Sequence, residues 1–158
     1  MNLTNPKIIL TTIVIIACFL RFYQLGKIPP SLTWDEVAWG YNAYSLGIDG
    51  RDEHGRLLPL DYLESFGDFK PPLYAYLDVI PIKIFGLNEF AVRFPSALFG
   101  VLTVLMTYLL TRRIFFSQDS PPRSPFGHLG GGAWRLPRGE TVALLSALFL
   151  AISPWHIN

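Results

Sequence analysis

Residues 97–110, Ala-Leu-Phe-Gly-Val-Leu-Thr-Val-Leu-Met-Thr-Tyr-Leu-Leu, carry no charged side chain, and Arg112-Arg113 closes the run. Taken from Phe90 to Phe116, the stretch makes about 40 Å of helix at ~1.5 Å per residue, enough to cross a hydrocarbon core of ~30 Å. Asn88 can cap its start, and Glu89 lies where the helix dipole favours an acid. Arg93 and Pro95 fall in its first turns. Outward on the N-terminal side, Ile8–Phe22 (IILTTIVIIACFLRF) is a second apolar run. Tyr23 and Leu25 extend it, and Lys7 and Arg21 can snorkel, so residues 8–25 read as a spanning helix. On the C-terminal side, residues 141–156 read as a third. The stretch Pro71–Leu87 carries Asp78, Pro81 and Lys83 and suits a helix lying in the membrane interface better than a span.

Composition agrees with this. The 158 residues are 51% hydrophobic and 16% charged, against roughly 25% charge in soluble domains. Mean hydropathy is +0.34. Disorder is excluded and a free cytosolic enzyme disfavoured. A net charge of +1 supplies no basic field for nucleic acid. One cysteine, Cys18, excludes an internal disulfide framework and a cysteine-based zinc site. The expected fold is all-α, a multi-spanning helical membrane protein with about three transmembrane helices and a long outer loop containing short interfacial helices.

Basic residues orient the helices. Residues 112–139 hold Arg112, Arg113, Arg123, Arg135 and Arg138 against one acid, Asp119, so the loop 117–139 reads as cytoplasmic. Residues 26–89 hold ten of the twelve acids and read as an outer loop. The N-terminus is then inside, and the third helix ends outside.

The outer loop holds the chemistry-bearing residues. Thr33 and Glu36 fit a capping box, which predicts a short helix from about Trp34 to Leu46, with Trp34, Val37, Ala38, Tyr41 and Tyr44 mainly on its apolar side. Asp35 and Glu36 have two readings. They can stabilise the helix start through its dipole, or one can act as a general base beside the lipid headgroups. Lys70, before Pro71-Pro72, has an extended backbone and is either a solvated flank or a cation that meets a lipid phosphate.

The order of motifs decides between these readings. Leu20-Arg21-Phe22-Tyr23 is followed by Ile28-Pro29-Pro30, Trp34-Asp35-Glu36, Phe69-Lys70-Pro71-Pro72-Leu73-Tyr74 and Arg93-Phe94-Pro95-Ser96-Ala97-Leu98-Phe99-Gly100, with Ser153-Pro154-Trp155-His156 after the third helix. The chain resembles the start of the polyprenyl-phosphate-dependent membrane glycosyltransferases of the GT-C type, which include protein O-mannosyltransferases and lipid A aminoarabinose transferases. The resemblance implies transfer of a sugar from a polyprenyl-phosphate carrier to an acceptor hydroxyl at the outer face of the cytoplasmic membrane. It implies Asp35 as the catalytic base, with inversion at the anomeric carbon, Glu36 as organiser of the site, and Lys70 beside the carrier phosphate. The implied partners are membrane lipids, the lipid-linked sugar and a lipid, glycan or protein acceptor. No cofactor is implied, and a divalent metal is left open. Members of this type have many more helices after the third, so the chain is expected to be an N-terminal portion and inactive alone.

Other residues keep two readings. Arg93 near the outer end of the second span should pair with Asp78, Glu89 or Asp35, or serve the donor phosphate. His156 is a polar helix end or a site residue. Asp68 could join Asp35 or His156 around a metal. Gly127-His128-Leu129-Gly130-Gly131-Gly132 lacks the strand and Gly-Lys-Ser/Thr context of a phosphate loop and reads as linker. A non-enzymatic anchor or assembly module and a transporter fragment are the rival functions. The placement of charge at span ends and in the outer loop, not within spans, favours surface chemistry.

Overall fold

The Thr33 hydroxyl accepts the Glu36 backbone N–H at 3.3 Å, and the Glu36 carboxylate accepts the Thr33 N–H at 2.8 Å. This reciprocal cap is the one predicted from the spacing, and it starts a helix that ends at Gly50 in the left-handed conformation, φ +75°. The computed structural model describes residues 5–116 and 138–153. Along them run α1 (Pro6–Phe22), α2 (Trp34–Asp49), β1 (Leu63–Ser65), β2 (Asp68–Lys70), α3 (Leu73–Phe85), α4 (Glu89–Phe116) and α5 (Arg138–Ile152). The fold is mostly helical. Among the described residues, α4 is the one helix both long and apolar enough to cross a membrane, and α5 is a shorter apolar helix.

The described residues form two compact units, one built from Phe22–Phe99 and the other from the stretches before Phe22 and after Phe99. The first unit packs α2 against α3, with the start of α4 and β1 completing its core. Ala43, Leu46, Leu63, Ala75, Ile82, Ala91 and Val92 are buried together, flanked by Trp39, Tyr76 and Val79. Of the side chains expected on the apolar side of α2, Ala38 is buried, whereas the aromatic ones are not. Trp34 is 74% and Tyr41 52% exposed, and Val37 and Tyr44 are exposed as well. Small side chains line the contact because the backbones approach closely. A Cβ on Gly40 would lie 2.7 Å from Val92 Cγ2, and Trp or Tyr has no room there.

A hairpin interrupts the helical pattern. β1 and β2 pair antiparallel with Leu63 opposite Lys70 and Ser65 opposite Asp68. The two turn residues, Phe66 and Gly67, both have positive φ, 55° and 74°, as a two-residue turn matched to strand twist requires.

In the second unit Ile13 and Ala17 of α1, Val104 and Tyr108 of α4, and Ala143, Leu144, Ala147 and Ala151 of α5 form one core. The alanines of α5 recur every four residues, a small-residue stripe that permits close helix approach. Arg21 is buried and donates to the carbonyls of Leu150 and Ala151 at 3.1 and 3.2 Å. The C-terminal ends of α1 and α5 therefore lie side by side, and the two helices run parallel. At the other end, Glu140 pairs with Arg112 at 2.9 Å and accepts the Tyr108 hydroxyl, so this part of α4 runs antiparallel to α5.

Candidate active site

Asp35 and Glu36 are successive residues in the first turn of α2, and the ~100° per residue of an α-helix turns them to different partners. Glu36 faces α4. Its carboxylate accepts Arg93 Nε at 2.8 Å and Nη2 at 3.2 Å. Burial opposes its ionisation, but hydrogen bonds from Arg93 and Thr33 outweigh that and hold the carboxyl below the usual range. Arg93 is buried, and its remaining donors go to three backbone carbonyls: Leu25 at 3.1 Å, Pro29 at 2.9 Å and Ser31 at 3.0 Å. A guanidinium has five N–H donors, and all five are taken. None of the partners expected from sequence (Asp78, Glu89, Asp35) is the one that Arg93 uses. Glu36 is nearer because the capping box already turns it toward α4.

Asp35 points the other way, 57% exposed, and its carboxylate lies 2.6 Å from Lys70 Nζ. Asp68 also reaches that ammonium, at 2.8 Å. Lys70 is itself only 8% exposed. The two carboxylates hold it above the ordinary lysine range, Asp35 contributing more than Asp68. Lys70 in turn holds Asp68 below the ordinary carboxylate range, helped by the Phe69 N–H. Asp35 and Asp68 thus meet as their sequence reading proposed, but around an ammonium. Among the described residues no group of three or more His, Cys, Asp or Glu side chains is placed to hold a metal ion. His156 lies outside the described residues.

What positions Lys70 was not visible in the sequence. Asn42, fully buried on α2, donates to Ser65 Oγ at 3.0 Å and accepts the Glu53 N–H at 3.0 Å, and Ser65 donates to the Glu53 carboxylate. This network ties β1 to α2, and the hairpin register then carries Lys70 to the start of the same helix. Glu53 belongs to a loop organised by buried Asp52, which accepts the N–H groups of His54 and Arg56 and the Arg56 side chain. The one available signal was Asn42 itself, since an amide on a buried helix face must find partners. On α3, Tyr74 donates to the Val92 carbonyl at 3.0 Å and packs on Trp39, fixing α3 to α4 and α2 beneath the site.

The site therefore offers an exposed carboxylate beside a cation, mounted on a rigid helix start. No solved structure matches the chain. An uncharacterized protein of Aquifex aeolicus (strain VF5) is 47% identical over 110 residues, which is 68% of this chain and 20% of that protein. The chain thus spans about a fifth of the length of that relative. The family model for dolichyl-phosphate-mannose-protein mannosyltransferase matches residues 11–120, and the chain belongs to that family.

Proposed function

We propose that this region is the N-terminal portion of a multi-spanning membrane glycosyltransferase that uses a polyprenyl-phosphate sugar donor at the outer face of the cytoplasmic membrane. The observation that carries this reading is the exposed Asp35 carboxylate 2.6 Å from Lys70 Nζ. In the proposed step the acceptor hydroxyl attacks the anomeric carbon and gives its proton to Asp35. The bond from that carbon to the phosphate oxygen breaks, and its electrons leave with the lipid phosphate. Lys70 meets the negative charge that collects there, the pre-placed cation such a leaving group needs. Arg93, all of whose donors are engaged, and Glu36, bonded to it, serve by holding the start of α2 against α4. Arg93 is thus reassigned from a donor-phosphate ligand to a support of the site.

Three spans are supported by the parallel and antiparallel runs of α1, α4 and α5. The exposed apolar side chains along them, including Ile15, Phe19, Met106, Leu110 and Phe149, also suit a lipid boundary. The test is Asp35→Asn in the complete enzyme that carries this region. Transfer should fall by roughly 10²- to 10⁴-fold, the usual share of a general base, with expression and donor binding retained. Near-normal transfer by that variant would refute the assignment.

A further inference from the structure

Lys70 stands between two carboxylates, so the resting cluster carries one positive and two negative charges. The third N–H of the ammonium remains for a phosphate, but the net negative charge of the cluster opposes one until a carboxylate withdraws. The two are not equivalent. Asp68 and Lys70 are two residues apart on β2 and share a face of the strand, so their contact belongs to the hairpin. The contact of Lys70 with Asp35 joins the hairpin to α2, so an incoming ligand can replace it while the contact within β2 stays.

We infer that Asp68 is a positioning residue in a partner exchange: the donor phosphate takes the place of Asp35 on Lys70 Nζ while Asp68 keeps the ammonium in place. Asp35 is then free to receive the acceptor proton only when the donor is bound. The exchange rests on the roles proposed above for Asp35 and Lys70. Its consequence is that donor binding itself prepares the base. An empty site keeps Asp35 occupied.

Carbodiimide, which joins a carboxylate and an amine in contact, reads the exchange directly. In the complete enzyme without ligand, mass spectrometry should find both Asp35–Lys70 and Asp68–Lys70 cross-links. Saturation with a long-chain polyprenyl phosphate in micelles should abolish the first and spare the second. Saturation is followed by the fluorescence of Trp34, which is exposed and meets Phe66 edge to face beside the site. Persistence of the Asp35–Lys70 cross-link at saturation, or loss of both together, overturns the exchange. Failure of the lipid phosphate to bind at all overturns the role of Lys70 and the inference with it.

Kinetics give a second readout. Asp68→Asn should lower kcat about tenfold, the worth of one charge-assisted hydrogen bond, without raising the donor KM, and Asp68→Glu should restore most of it. A purely structural residue would raise KM and lower thermal stability while leaving the cross-link response intact. An unchanged kcat in Asp68→Asn would also overturn the inference.

Discussion

Arg93→Met tests the support on which the site stands. The guanidinium makes two bonds to Glu36 and three to the carbonyls of Leu25, Pro29 and Ser31. Removing one partner of a buried ion pair costs about 3–5 kcal/mol, because the other charge stays buried. Glu36 keeps the Thr33 N–H and is 22% exposed, which softens its share. The three carbonyls lose their donor, and that restores the total, so about 3–5 kcal/mol is expected for Arg93→Met. Glu36→Gln alone should cost about 1–2 kcal/mol, since its amide oxygen can still accept from Nε. The double variant should fall short of the sum by about 1.5–3 kcal/mol, the coupling of residues in one network. Reversible unfolding of the complete enzyme in mixed micelles measures the cycle. Trypsin supplies a local probe, because exposed Lys27 lies in the segment that Arg93 pins, and Arg93→Met should speed cleavage there. Additivity within ~0.5 kcal/mol, with unchanged cleavage at Lys27, would refute the assignment of Arg93 as the brace of this segment.

Further predictions follow from packing, protons and topology. Gly40→Ala should destabilise the unit holding α2 and α3 by about 1–3 kcal/mol, because its Cβ meets Val92, and Val92→Ala should recover most of the loss. Stability should rise and then fall as pH drops. Burial pushes the Asp78 carboxyl up to about 8, so between 8 and the unfolded value near ~4 the folded state holds a proton that the unfolded state lacks, and stability increases as pH falls. Glu36 and Asp52 sit below their ordinary values. Their stabilisation is present above ~4 and is lost as pH falls through the folded values. Asp78→Leu should remove the rising limb, and a pH profile identical to wild type would contradict the shift. In a Cys18→Ser background, Leu60→Cys, 80% exposed, should label from outside and Ser124→Cys only after permeabilisation. Reversed labelling would invert the orientation.

Sequence and structure agree where a short local rule decides the outcome. The Thr33–Glu36 box gave the start of α2, Asn88 caps α4 through the Ala91 N–H at 2.9 Å, and Pro71 left Lys70 extended. Sequence and structure part where tertiary packing overrides local pattern. The close approach at Gly40 turns Ala38, Gly40, Asn42, Ala43 and Leu46 inward and leaves Trp34, Val37, Tyr41 and Tyr44 exposed. The hairpin leaves little trace in the sequence because its strands have three residues each and its turn is Phe-Gly, without the Asn or Asp that usually marks such turns. The partner of Arg93 is not among the three acids expected from sequence, because Glu36 lies 57 residues away and only the fold brings it near. The motif order makes Asp35 and Lys70 expected members of one site, and the two lie in contact at 2.6 Å. Their contact depends on Asn42, Ser65 and Glu53, which no motif links.

Why adjacent acids should have different duties follows from what a base must do. It is protonated and deprotonated in every turnover. Protonation of Glu36 would weaken the Arg93 fork and with it the hold on the Leu25–Ser31 segment, so a catalytic proton there would loosen the site in each cycle. Protonation of Asp35 disturbs one contact, that to Lys70, which keeps Asp68. The residue whose charge can change without cost to the fold is therefore Asp35. Two substitutions separate the duties. Glu36→Gln should lower stability while the surviving folded enzyme still transfers sugar, and Asp35→Asn should leave stability within about 0.5 kcal/mol and stop transfer. Transfer per folded molecule, measured beside the unfolding midpoint, decides the matter. If Glu36→Gln stopped transfer at full stability while Asp35→Asn remained active, the base would be Glu36 and its pairing with Arg93 would be part of the chemistry.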